Sequence, residues 1–136
     1  MSAASNFLEN ELLDHVLRGS GGAYTAPTTL YLALFTSDGG LENNTSGSQT
    51  EISTSGSAYS RQTIAFNDAS SGSASNSATV TFSAATANWG TVTHVAIMDA
   101  SSGGNVLFHG AVTTSKTIES GDTFQVSSGN LTISLA

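Results

Sequence analysis

Serine, threonine and glycine make up an unusually large share of this chain. Of its 136 residues, 23 are Ser, 18 are Thr and 14 are Gly, and only one is Pro. Ser and Gly lower helix propensity, whereas Thr beside Val and Ile favours pleated strands. A chain of this length can bury a core of its own when 38% of its residues are hydrophobic. The composition therefore predicts a single, mainly β domain over residues 1–136.

The spacing of the apolar segments predicts the type of β fold. They recur about every 8 to 14 residues and are separated by turn residues, which is typical of an antiparallel β-sandwich or a jelly-roll-like barrel. The first segment has apolar residues on both faces, so something must cover its second face. In the last one, Leu131, Ile133 and Leu135 are expected to point inward. The sequence predicts about eight short strands, within 28–37, 58–66, 78–82, 91–98, 105–112, 116–118, 123–126 and 131–135.

One helix is predicted, over residues 6–18. Asn6 is placed to cap it, with Glu9 three residues later, and Gly19 supplies the usual left-handed stop. At 100° per residue, one half of the helix is apolar and carries Leu8, Leu12, Leu13, Val16 and Leu17. This apolar face could cover the second side of the first strand, or part of it could meet a partner.

Two polar stretches and one turn complete the organisation. Residues 37–57 are longer than an ordinary connection and are interpreted as a functional loop or a mobile arm, whereas 70–77 is predicted to be a loop. If Asp99 and Gly104 close a hairpin, His94 faces His109 across it. Two facing histidines without a third ligand do not make a catalytic zinc site. We therefore expect no metal and no cofactor.

Charge and cysteine content exclude several classes of protein. Ten acidic and three basic residues give a net charge of −7, which repels a phosphate backbone, so nucleic acid is not expected as a partner. The chain has no cysteine for disulfides, redox chemistry or thiolate metal sites. No apolar run is long enough to span a bilayer, and the first residues lack the basic and apolar regions of a signal peptide. Synthesis in a reducing cytoplasm is the expected setting.

The sequence carries no motif for catalysis. A nucleophile elbow, a phosphate-binding loop, a zinc-protease helix and an EF-hand loop are all missing, so the chain is not expected to be an enzyme. Trp89 and Tyr59 could form a platform for a sugar, although Trp89 precedes an apolar strand and is more typical of a core or an interface. The isolated Arg61 is expected on the surface, or paired with an acid across the sheet or a subunit boundary.

Several blocks of sequence carry a resemblance that covers almost the whole chain. FLENELLDHVLRG, LYLALFTSD, SAYSRQTIAF, ANWGTVTHVAIMDASSGGNVLFHGAV and TIESGDTFQVSSGNLTISL occur in this order. In these blocks the chain resembles a family of small virion proteins of tailed bacteriophages that are labelled phage tail fibre proteins. The resemblance implies a structural protein of the virion and brings no catalytic residue.

The form of the chain favours one place in the virion. A fibre shaft needs heptads or short repeats, and the sequence has neither. We therefore predict a capsid decoration (cement) protein that binds the major capsid protein, copies of itself, or both. The alternative is a tail fibre or tail-tip component that contributes to binding of a host receptor or surface glycan. The candidate interface residues are Leu8, Leu12, Val16, Tyr24, Tyr31, Tyr59, Arg61 and Trp89.

Overall fold

A computed structural model describes residues 3–43 and 50–135. These residues form antiparallel β-sheets and one α-helix, as the sequence predicts. The main sheet has five strands in the order β1-β7-β6-β2-β3, and two ribbons pair β4 with β9 and β5 with β8. The elements are β1 Ala3–Ala4, α1 Asn6–Leu17, a 3-10 turn Gly19–Gly21, β2 Leu30–Phe35, β3 Gln62–Ile64, β4 Ser73–Ser75, β5 Val80–Thr81, β6 Gly90–Met98, β7 Val106–Ile118, β8 Gln125–Val126 and β9 Thr132–Ser134.

The principal core lies between one face of the main sheet and the two ribbons, which gives a sandwich-like arrangement. Leu32 and Leu34 of β2 and Ile97 of β6 supply the side chains of the main sheet. Val80 of β5 and Phe124, which precedes β8, belong to the same cluster. Burial of these apolar side chains from both layers holds the ribbons on the sheet.

The second face of β2 is covered differently from the prediction. Ala33 and Phe35 are fully buried there, and Leu41, also fully buried, packs against them. The helix lies elsewhere, because its Leu8 packs on Leu107 of β7. The expectation that α1 covers this face is therefore wrong: a turn that follows β2 brings Leu41 back over the strand, which is the shorter path for the chain.

The helix begins at the predicted residue but with a different cap. Ser5 is the N-cap, and its hydroxyl accepts a hydrogen bond from the amide of Leu8 at 3.3 Å and donates one to the carbonyl of Val106. Asn6 is instead the first helical residue. At the other end, Arg18 is the C-cap and Gly19 takes the predicted left-handed conformation, with φ 59°.

Two expectations for the ribbon strands are corrected. Residues 70–77 are not simply a loop, because β4 within them pairs with β9 from Ser73 opposite Ser134 to Ser75 opposite Thr132. In the last strand, Leu131 and Ile133 pack against the core, but Leu135 is 56% exposed. A polar stretch of this kind forms a strand because a partner strand satisfies the hydrogen bonds of its backbone groups. The local sequence has no hydrophobic periodicity that would predict this pairing.

Strand β7 is continuous where two strands were predicted, but its pairing is interrupted at the predicted place. Residues 90–92 of β6 pair with 116–118, and 94–97 pair with 108–111. Between these ladders, Thr93 alone opposes residues 112–115, which form a bulge. Strand β1 pairs with β7 only at Phe108 and His109, so the bulge lies beyond that short edge strand. Bulges near the edge of a sheet discourage pairing with further strands.

The predicted pairing of the histidines is wrong. His94 lies opposite Ala111, and His109 lies opposite Ala96. The hairpin closes between Asp99 and the residue after Gly104, and a second irregularity follows between Ile97 and Met98, so the register is shifted by two residues. The two histidines are therefore diagonal neighbours instead of direct partners.

The long polar stretch 37–57 is attached to the domain at both ends. Leu41, Ile52 and Ser57 are buried, and the carbonyl of Leu34 accepts a hydrogen bond from the amide of Ile52 at 3.1 Å. The centre of the predicted arm, 44–49, lies outside the described residues. Among the residues that the structure describes, no helix has the length and apolarity to cross a bilayer.

Candidate interaction surfaces

An ion pair between Arg61 and Glu51 connects the segment 51–61 to the hairpin between β6 and β7. Arg61 donates from Nε and Nη2 to the two carboxylate oxygens of Glu51, each at 2.8 Å. Its Nη1 donates to the carbonyls of Ala100 and Gly103, again at 2.8 Å. The Arg61 side chain is only 6% exposed. The predicted partner acid therefore belongs to the same chain, and the pair fixes a loop instead of a subunit boundary.

Tyr59 completes this cluster from the core side. Its hydroxyl donates to Glu51 Oε2 at 2.6 Å and accepts from the amide of Leu34 at 3.1 Å. Burial, with the charge and hydrogen bond of Glu51, raises the pKa of Tyr59 far above its ordinary value. Burial acts to lower the pKa of Arg61, but Glu51 outweighs it and the pKa is raised. Tyr59 therefore stays neutral and Arg61 stays charged at neutral pH.

The hairpin loop that Arg61 holds is also fixed from its own side. Asp99 accepts hydrogen bonds from the amide and the side-chain amide of Asn105, at 2.7 and 3.0 Å. Gly104 has φ 73°, and a Cβ there would lie 2.4 Å from the Asp99 carboxylate. The exposed residues Ser101 and Ser102 are thus presented on a rigid backbone. Rigidity of this kind lowers the entropy that binding costs.

A second candidate surface is the outer side of α1. Leu13, Val16 and Leu17 are 57%, 72% and 74% exposed. The sequence placed them on the same half of the helix as Leu8 and Leu12. In the structure, only Leu8 and Leu12 of these five residues pack towards β7. The predicted apolar half is therefore divided between a buried and an exposed part.

Two grooves share the half-buried Phe108 in their linings. The first, of about 270 Å³, is almost entirely apolar. The second, of about 240 Å³, lies between β7 and the strands β8 and β9, and Lys116 is its charged residue. In the described part of the chain no Asp or Glu lines either groove, and no cluster of three metal-ligating side chains occurs.

The eight candidate interface residues fall into two groups. Leu8, Tyr59 and Trp89 are 4%, 2% and 5% exposed and contribute to the core. Trp89 also donates from Nε1 to the carbonyl of Ser57 at 2.8 Å, and its ring meets Tyr59 edge to face, with centroids 5.4 Å apart. This contact between core side chains leaves no open platform for a sugar.

The other candidates are more accessible. Val16 is exposed, and the half-buried side chains of Leu12, Tyr24 and Tyr31 are partly accessible, whereas Arg61 is held in its ion pair. The amide of Tyr24 donates to Nδ1 of His15 at 3.0 Å, and burial, with the charges of Asp99 and Glu11, raises the pKa of the Tyr24 phenol. Sequence reasoning missed Leu13 and Leu17 as interface candidates, although both stood in its apolar half of the helix.

The comparison with protein families covers nearly the whole chain. A family model described as Podophage GP4 fiber I protein gp80 matches residues 3–134. The chain belongs to this family. The gp80 family is one of phage virion structural proteins, so the resemblance that the sequence blocks carry is confirmed. The comparison with curated proteins found no match.

Proposed function

We propose that this gp80-family chain is a compact component of a fibre on the outside of a phage virion and acts by protein contacts without catalysis. The family match over residues 3–134 carries the proposal, because the family is described as a fibre protein. The described domain would then be a terminal or attachment part of such a fibre, since its short strands and ribbons form a compact unit without repeats.

The two surfaces described above support a role in protein contacts. A rigid hairpin tip is suited to recognition because little entropy is lost when it binds. The exposed apolar side of α1 is suited to assembly, since contiguous apolar surface on a soluble domain commonly marks an interaction site. The acidic net charge of −7 keeps the exposed part of a virion from non-specific adsorption to nucleic acid.

The role of a capsid decoration protein is the second candidate, favoured by the compact and acidic form of the chain. The two roles differ in copy number and in phenotype. A decoration protein occurs in hundreds of copies and stabilises the head, whereas a fibre protein occurs in tens and is needed for adsorption.

The test is a phage in which this gene is deleted, produced with and without the protein supplied from a plasmid. We expect deleted particles to retain their DNA on heating as well as complemented particles do, but to adsorb poorly to host cells. Labelled protein should locate to the tail by cryo-electron microscopy. Heads that lose DNA on mild heating while adsorption is normal would overturn the fibre role and support decoration.

A further inference from the structure

The groove between β7 and the ribbon strands β8 and β9 holds the only lysine of the chain. The sequence contains three Lys and Arg residues, which are Arg18, Arg61 and Lys116. Within the described residues, Arg18 pairs with Asp14 and Arg61 pairs with Glu51, whereas Lys116 has no carboxylate partner. Lys116 is exposed and lines the groove. The groove therefore carries a positive charge that the described part of the chain does not neutralise.

The strand pairing fixes the direction of Lys116. It lies opposite Val92 in the β6–β7 ladder, and residues that are paired in this way project from the same face of a sheet. Val92 is fully buried in the principal core, which lies between the main sheet and the ribbons. Lys116 therefore projects from the side of β7 that faces the ribbons, where the groove lies.

The charge of the groove differs from that of the whole chain. The chain has ten acidic residues and a net charge of −7, yet no acidic residue in its described part lines the groove. A cleft that presents one sign of charge attracts ligands of the opposite sign. One lysine is sufficient for a single carboxylate, whereas a polyanion such as nucleic acid is repelled by the net charge. The charges therefore favour a small ligand with one carboxylate.

The walls of the groove combine apolar and hydrogen-bonding side chains. The apolar part comes from partly buried side chains that pack against the principal core, among them Val126, Leu131 and Ile133. Hydroxyl and amide groups come from Thr113, Thr114, Gln125, Asn130 and Thr132. A pyranose ring has an apolar face of C–H groups and a rim of hydroxyls, so it matches both kinds of lining. The volume of about 240 Å³ is below the roughly 300–1,000 Å³ of sites for drug-sized ligands, which favours a single sugar ring.

The bulge in β7 argues against an extended peptide as the ligand. A peptide that binds along a sheet edge adds a strand and needs a regular row of backbone groups. Residues 112–115 interrupt this row beside the groove, and such bulges discourage strand pairing. Bulges also occur next to binding sites, where they redirect side chains. Here the bulge contributes Thr113 and Thr114 to the wall of the groove.

We propose that this groove binds a sugar that carries a carboxylate, such as a uronic acid. Lys116 pairs with the carboxylate, and the threonine, asparagine and glutamine side chains of the walls bind the sugar hydroxyls. The site does not include Trp89 or Tyr59, which are buried in the core. The proposal adds a ligand to the proposed fibre component and does not rest on the fibre role, because the groove lies within one chain.

The first experiment follows the amide NMR signals of the purified full chain during titration with acidic sugars. The probes are glucuronate, galacturonate and N-acetylneuraminate, with glucose and galactose as the neutral counterparts of the first two. We expect at least one acidic sugar to bind with a Kd of about 1 mM, and each neutral counterpart to bind at least about tenfold more weakly. The shifts should be concentrated at residues 110–116 and 130–132.

Two results of this titration would overturn the proposal. One is that none of the three acidic sugars binds with a Kd below about 10 mM. The other is that the shifts lie at the hairpin loop 100–104 or on α1, because the ligand would then occupy another surface. All measurements use the isolated chain, so their failure leaves the adsorption test of the virion unaffected.

Charge removal tests the role of Lys116. Lys116→Gln keeps a polar side chain but removes the charge, so it should raise the Kd for the acidic sugar at least about tenfold and leave binding of the neutral sugar unchanged. Arg18→Gln is the matched control, because it removes the same charge from an exposed pair on α1. This control should bind like the wild type. Equal losses in the two variants would show that only net charge matters, which would contradict the site.

An added acid tests the opposite wall of the groove. Asn130→Asp is nearly isosteric and should weaken binding of the acidic sugar by repulsion. Asn10→Asp, the same change at an exposed position of α1, should have no effect. Identical binding by Asn130→Asp and the wild type would remove this wall from the site.

Acetate and a short acidic peptide separate the sugar from other carboxylates. Acetate lacks the ring, so it should bind at least about tenfold more weakly than the acidic sugar, and the peptide should not shift the signals of the groove. Acetate or peptide that binds at the groove as tightly as the sugar would overturn the sugar as the ligand, because the carboxylate alone would then be recognised.

Discussion

Arg61 and Glu51 form a bidentate ion pair, with both hydrogen bonds at 2.8 Å, beside the hairpin between β6 and β7. The Nη1 nitrogen of the guanidinium also donates to two carbonyls of the hairpin loop. The Arg61 side chain therefore connects Glu51, ten residues away, with a hairpin loop that lies about forty residues further along the chain. Its removal should affect both the stability of the domain and the rigidity of the loop.

Arg61→Ala should lower the free energy of unfolding by about 3 kcal/mol, because it leaves the Glu51 carboxylate poorly compensated. For a domain of this size, the melting temperature should fall by about 10 °C. Calorimetry measures the fall, and hydrogen exchange should show faster exchange at residues 100–104. The control is Arg18→Ala, whose exposed pair at 3.6 Å should contribute less than about 1 kcal/mol. Equal effects of the two variants would contradict the assigned role.

Tyr59 predicts a sensitivity to alkali. Its folded pKa is raised, so the stability that it contributes is fully present below the unfolded pKa of about 10 and is lost as the pH rises above that value. We expect the free energy of unfolding to fall steeply above pH 10 in the wild type and less steeply in Tyr59→Phe. Denaturant titrations at several pH values measure this slope. Identical slopes would show that Tyr59 ionises freely in the folded protein.

Leu41 lies in a turn but packs on the second face of β2, so we expect its side chain to contribute strongly to the stability of the domain. Leu41→Ala removes a fully buried side chain and should cost about 3 kcal/mol of unfolding free energy. Leu17→Ala, the same substitution at a 74% exposed position, should change it by less than about 0.5 kcal/mol. The comparison is made by urea denaturation of both variants and the wild type. A Leu41→Ala variant as stable as the wild type would refute the assigned packing.

Two neighbouring glycines of the hairpin should respond differently to alanine. Gly103 and Gly104 both have positive φ, which costs about 1 kcal/mol for a residue with a Cβ. At Gly103 the new Cβ meets no atom within 4 Å, whereas at Gly104 it would collide with Asp99. Gly104→Ala should therefore be clearly less stable than Gly103→Ala in thermal melts. The reverse order would contradict the loop geometry.

Removal of metal ions should leave the protein unchanged. His94 and His109 are diagonal neighbours, and His109 already pairs with Glu42 at 2.8 Å through Nε2. We expect EDTA to leave the melting temperature within experimental error. A fall of several degrees that zinc reverses would reveal a metal site.

Much of the architecture follows from local sequence. The richness in Thr, Ser and Gly predicts a β fold, and the period of Leu30, Leu32 and Leu34 predicts β2. Gly19 correctly marks the end of α1, since only a residue without a Cβ adopts its conformation at little cost. The turn and the two strands of the β6–β7 hairpin are also evident, because turn residues separate two apolar segments.

Other features were decided by tertiary contacts. The residue that covers β2, the register that separates His94 from His109 and the division of the apolar side of α1 depend on how distant segments meet. The same holds for the partner of Arg61, which lies in a polar stretch that shows no periodicity. By itself, the sequence determined which segments are strands, helix and turns, because propensity and periodicity act over a few neighbouring residues. Only the tertiary structure decided which surfaces remain uncovered, because burial depends on the packing of the whole chain.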